Sequence, residues 1–129
     1  MSNHLQRIPG TRIVATSAAL DAASWPAGAL ALRLAPDEIF VTDTVAPEMV
    51  SDPYAIVVAD AGFAGTWLSN EQGLDFLAHH CEWRLPDQRP TFAQGMVAGL
   101  PMKLWFEQDR LLLLVPAPYS SDLEARLAE

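Results

Sequence analysis

Ten prolines, at positions 9, 26, 36, 47, 53, 86, 90, 101, 116 and 118, divide this chain of 129 residues into short pieces. Proline has no backbone N–H and a fixed φ, so none of these positions is expected inside a helix or a central strand. The longest uninterrupted stretch, Tyr54 to Leu85, should hold the most regular structure, and Met102 to Val115 a compact hairpin. A chain of this length is expected to fold as one domain, residues 1–129, around a single core, with residues 1–28 an irregular N-terminal segment. Half of the residues are hydrophobic and 19% are charged. That balance can fill a core and excludes disorder for the bulk of the chain.

Between the prolines the pattern is that of hairpins. Leu30, Leu32 and Leu34 alternate within Ala29 to Leu34, Pro36, Asp37 and Glu38 make a turn, and Ile39 to Val41 returns. Ala55 to Ala59 and Phe63 to Leu68, separated by Asp60, Ala61 and Gly62, read as a second hairpin. Ser69 with Gln72 has capping-box spacing and opens a helix from about Asn70 to His80, weakened by Gly73 at roughly 1 kcal/mol relative to alanine. Phe92 to Val97 is a weaker strand because it contains Gly95, and Ala98 to Pro101 reads as a turn. Met102 to Glu107, Gln108 and Asp109, then Arg110 to Val115 form the clearest hairpin, and Ser121 with Glu124 caps a short closing helix carrying Leu123 and Leu127. Hairpins outnumber strand-helix-strand crossovers. The expected fold class is α+β, a mostly antiparallel sheet with two short helices on one face.

Sixteen acidic against eight basic side chains give a formal net charge of -8, which repels nucleic-acid phosphates and anionic membrane surfaces. One cysteine, Cys81, cannot make an internal disulfide, no apolar run approaches the roughly 20 residues of a membrane helix, and Ile13 to Leu20 is broken by Thr16 and Ser17. The expected location is the cytoplasm.

The search for chemistry yields little. His79, His80 and Cys81 are metal-binding residue types, but neighbours on a helix diverge by about 100° and cannot converge on one tetrahedral ion. Histidines complementing a helix C-terminus and a cysteine packed as a small apolar residue account for them. Asp60 before Gly62 reads as a turn residue, and the adjacent Asp37 and Glu38 as solvated turn residues. The sequence has no glycine-rich phosphate loop, serine elbow or dinucleotide fingerprint. No catalytic, cofactor-binding or metal-binding residue is therefore assigned. Apolar surface is the stronger signal. Alternation puts Met102, Leu104 and Phe106 on one face and Trp105 on the other, between Lys103 and Glu107, while Leu111 to Val115 is apolar on both faces. Two helices cover one face; the N-terminal segment or a second protein must cover the other. Trp105, Lys103, Trp67 and Trp83 are the candidate partner-interface residues.

An ordered series of short segments adds to this reading: Leu32-Arg33-Leu34-Ala35-Pro36-Asp37-Glu38, Asp60 ending a strand, Leu77-Ala78-His79-His80-Cys81, Leu85-Pro86, and Ala98-Gly99-Leu100-Pro101-Met102-Lys103-Leu104-Trp105. With Leu114-Val115-Pro116 and Tyr119, the series resembles the gamma subunit of heterotetrameric sarcosine oxidase over about three-quarters of the chain, from Ala29 onward. Ala61, Gly62 and Phe63 to Trp67 depart from that pattern, and residues 1–28 match no part of it. The resemblance implies a fold of the ferredoxin-like type found in the folate-binding region of the glycine-cleavage aminomethyltransferase. It also implies a non-catalytic subunit that docks on an alpha subunit, and through it on beta and delta subunits. Such a complex demethylates sarcosine oxidatively, with transfer to tetrahydrofolate, and its larger subunits hold the FAD, FMN, NAD and folate. A sister complex acting on another N-methyl amino acid would use a similar chain. Two other readings stand beside this one: a free-standing folate-binding domain, and an enzyme using Asp60 or Cys81 unaided.

Overall fold

The computed structural model describes residues 4–129. The fold is α+β, with antiparallel pairing in both of its sheets. Two compact units replace the single core expected from length: Ile8–Ala61 forms one, and residues 4–7 join 62–129 in the other. Each has its own hydrophobic cluster.

In the larger unit, β1 (Gln6–Arg7), β6 (Phe63–Ser69), β7 (Thr91–Val97), β8 (Leu100–Phe106) and β9 (Arg110–Pro116) form a sheet of order β1-β6-β9-β8-β7. Helices α2 (Asn70–His80) and α3 (Ser120–Leu127) lie on one face, where Phe76, Leu77 and Leu123 pack with Leu104, Phe106, Leu111, Leu113 and Val115. The two expected helices are thus placed on one face, as the sequence implies. Ser69 caps α2 as its spacing predicts, its Oγ accepting from the Gln72 N–H at 3.2 Å. The box at Ser121 does not form; α3 begins one residue earlier, and the Ser120 hydroxyl donates to the Ala117 carbonyl at 2.7 Å.

The hairpin of β8 and β9 holds in register, Lys103 opposite Leu114 and Phe106 opposite Leu111. Phe92 to Val97 is a full strand, and its turn is only Ala98 and Gly99, both at positive φ (55° and 77°), the geometry of a two-residue hairpin. Pro101 sits within β8 because pairing with β9 starts only at Lys103, so its missing N–H costs no rung of that ladder.

The smaller unit contains β2 (Gly10–Val14), β3 (Ala31–Ala35), β4 (Glu38–Val41) and β5 (Ile56–Asp60) in the order β3-β4-β2-β5. Helix α1 (Ser17–Ala22), capped by the Thr16 hydroxyl, contributes Ala19 and Leu20 to a cluster with Ile13, Ile39, Val41, Val45 and Val50. The segment expected to be irregular therefore holds two strands and a helix up to Ala22; residues 1–3 lie outside the described part. Thr11, Ile13 and Leu20 carried a core pattern too short and too interrupted to stand out beside the alanines around them. The β3–β4 hairpin is as expected. The second expected hairpin is not: β5 pairs with β2, whereas β6 pairs with β9 over seven rungs, from Phe63 opposite Pro116 to Ser69 opposite Arg110. Asp60, Ala61 and Gly62 read as a turn, but Asp60 ends β5 and the short link of Ala61 and Gly62 is equally suited to passing a chain from one sheet to another. Long-range pairing decides between them.

Gly73 has a packing role that its low helix propensity conceals. A Cβ built there would fall 2.2 Å from Leu111 Cδ2 and 2.6 Å from Cγ, so the missing side chain lets α2 approach β9. Gly73→Ala should gain helix propensity yet lose about 1–3 kcal/mol overall through overpacking, measured by urea denaturation. A more stable variant would contradict this close approach.

Candidate functional site

The residues singled out as an interface do not form one patch. Trp67, Lys103 and Trp105 share the sheet face opposite α2 and α3, as their register shows: Trp67 and Trp105 both stand across from Leu112, and Lys103 from Leu114. Phe92 lies across from Trp105, so Trp67, Leu112, Trp105 and Phe92 make a continuous apolar row over four strands. Leu112 and Leu114 are each 1% exposed, while Trp67, Trp105 and Phe92 are half-buried. Trp83 belongs to the other face. Its ring lies 2.9 Å from where a Gly95 Cβ would stand, its indole N–H donates to the Met96 carbonyl at 2.8 Å, and it packs against the helix-side core. Its role in the larger unit is to tie the segment after α2 to β7.

Polar groups hold the row at one end. The Arg110 guanidinium lies 3.7 Å from the Trp67 ring centroid, and its Nε donates to Glu107 Oε1 at 2.8 Å. The Trp105 indole N–H donates to Glu107 Oε2 at 3.0 Å. One carboxylate thus fixes both aromatic neighbours, and these two donors, Arg110 first, hold the Glu107 carboxyl below its usual range. At the next row the Lys103 ammonium sits 5.4 Å from the Phe63 ring centroid.

His79, His80 and Cys81 lie around the end of α2. The His79 Nδ1 is 2.8 Å from the Asp75 carbonyl, to which it donates; the His80 ring lies 4.6 Å from the Phe76 ring, tilted 34° to it; and the Cys81 thiol donates to the Trp83 carbonyl at 3.4 Å. These three side chains take separate partners. In the smaller unit, Asp60 and Glu38 are drawn together by a residue the sequence reading passed over. Arg12 donates from Nε to Asp60 at 2.9 Å and from Nη1 to Glu38 at 2.6 Å. Glu38 is therefore a strand residue in an ion pair and not a solvated turn residue. The sequence signal was available only in retrospect: an arginine at the centre of an apolar strand needs carboxylates on the strands beside it. Asp52 also has a structural task. It accepts the Thr16 and Tyr54 backbone N–H groups at 3.0 and 2.9 Å, which lower its pKa, and so fastens the loop before β5 to the start of α1.

Compared with models of known protein families and with curated proteins, the sequence gives no match. Among the described residues, no helix is long and apolar enough to cross a membrane, and no three metal-ligating side chains gather in one place.

The Glu107 arrangement has a pH signature. Its folded-state pKa lies below the unfolded value of about 4.3, so its stabilisation is complete above that pH and is lost as pH falls through the folded value. The difference in melting temperature between the native chain and Glu107→Gln should therefore shrink between about pH 6 and pH 3. A difference that stays constant over this range would contradict the arrangement.

Proposed function

We propose that this chain is a cytoplasmic, non-catalytic small subunit of a multisubunit flavoenzyme that oxidatively demethylates sarcosine or a related N-methyl amino acid. Its partner is the alpha subunit of such a complex and, through it, the beta and delta subunits. The reading rests on the ordered resemblance from Leu32 to Tyr119, and the row of Trp67, Leu112, Trp105 and Phe92 supports it. Two tryptophans and a phenylalanine in line, rimmed by Lys103 and Arg110, have the composition of a protein-interface hot spot, in which aromatics and arginine supply most of the binding energy. FAD, FMN, NAD and tetrahydrofolate belong, in this reading, to the larger subunits. This chain contributes surface and stability. The ion pairs of Arg12 and the partners of His79, His80 and Cys81 give those groups structural tasks.

Affinity purification of the tagged chain from its host tests the reading. A yellow eluate with flavin absorbance and a large subunit active on N-methyl amino acids is the expected result; a colourless 14.1 kDa chain alone would overturn it. Trp105→Ala should leave the isolated fold intact by circular dichroism but weaken assembly by about 2 kcal/mol or more, measured by titration calorimetry with the large subunit. Unfolding of the isolated variant would instead assign the ring to internal packing.

A further inference from the structure

A cavity of about 570 Å³ opens between the end of α2 and α3, a size that accommodates a small organic molecule. Its floor is apolar: Leu68, Phe76 and Leu127 line it, the first two buried in the core. The His80 ring, 4.6 Å from the Phe76 ring and tilted 34° to it, extends that floor as an aromatic wall. Arg126 also lines it, and is distinctive among the arginines. Arg12, Arg33, Arg84 and Arg110 have carboxylate partners, and Arg89 lies over the Phe106 ring. Among the described residues, the half-buried Arg126 guanidinium has neither a carboxylate nor a ring against it. A half-buried guanidinium with no carboxylate or ring against it leaves its N–H donors open to a ligand in the cavity.

We propose that this cavity binds a small aromatic monocarboxylate, its ring against Phe76 and His80 and its carboxylate on the fork of Arg126. Guanidinium and carboxylate match as paired donors and acceptors, and ring on ring adds stacking. Other charges at the cavity limit the ligand to one negative group. Asp75, 3.8 Å from His79, and Glu129 are exposed at the rim and would repel a second carboxylate. His79 Nδ1 is committed to the Asp75 carbonyl, so of that ring only Nε2 is left for a ligand. The site stands whether or not the chain docks on a larger subunit.

Titration of the full chain with 3-phenylpropionate, followed by two-dimensional NMR, tests the assignment. Saturable shifts confined to Gln72, Phe76, His79, His80, Arg126 and Leu127 are expected. Arg126→Gln should weaken binding about ten-fold or more, and Arg84→Gln should not change it. Phenylsuccinate, with a second carboxylate, should bind more weakly, and 3-phenylpropylamine should not bind. Unchanged Leu123 signals would show that Arg126→Gln remains folded. Shifts that fail to saturate, equal affinity in Arg126→Gln, or an amine binding as well as the acid would each overturn the proposal.

Discussion

Strand β9 must be buried on both faces, and the larger unit is arranged around that requirement. Five consecutive residues, Leu111 to Val115, are each no more than 1% exposed. A strand of this kind cannot lie at an edge or face water on one side, because each side chain turned outward forfeits roughly 1.5–3 kcal/mol of burial. It therefore takes β6 on one side and β8 on the other, and α2 and α3 lie over Leu111, Leu113 and Val115. Gly73 follows from the same demand, since α2 reaches Leu111 only where a side chain is missing. On the opposite face, Leu112 aligns Trp67 with Trp105 and sets up the aromatic row.

What could be read in the sequence was local. The β8–β9 hairpin, helix α2 with its Ser69 cap, and the alternation of β8 each rest on residues within a few positions of one another. What could not be read was pairing at a distance. The link at Asp60 to Gly62 has the same turn chemistry whether the chain doubles back or passes to another sheet, and only the seven-rung match of β6 with β9 distinguishes the two. Division into two units was hidden for the same reason: β2 finds its neighbours in β4 and β5, the latter more than 40 residues away.

The candidate site was legible to a similar degree. Alternation placed Trp105 and Lys103 correctly on the face away from the helices, yet Trp83 fell to the helix face because Gly95 leaves a hollow for its ring. Nothing local in the sequence links Arg12 to Glu38 and Asp60, or Arg126 to His80; topology alone brings them together. Arg12, Glu38, Asp60 and Asp52 are engaged in holding loops and strands, and the sheet face away from the helices carries the aromatic row.

Amide hydrogen exchange on the isolated chain tests the central role of β9 most directly. The β9 amides from Leu111 to Val115 are predicted to exchange slowest in the larger unit, at the rate of global opening, with those of the edge strands β1 and β7 much faster. If the β9 amides exchanged as fast as those edges, the unit would not be organised around a strand buried on both faces.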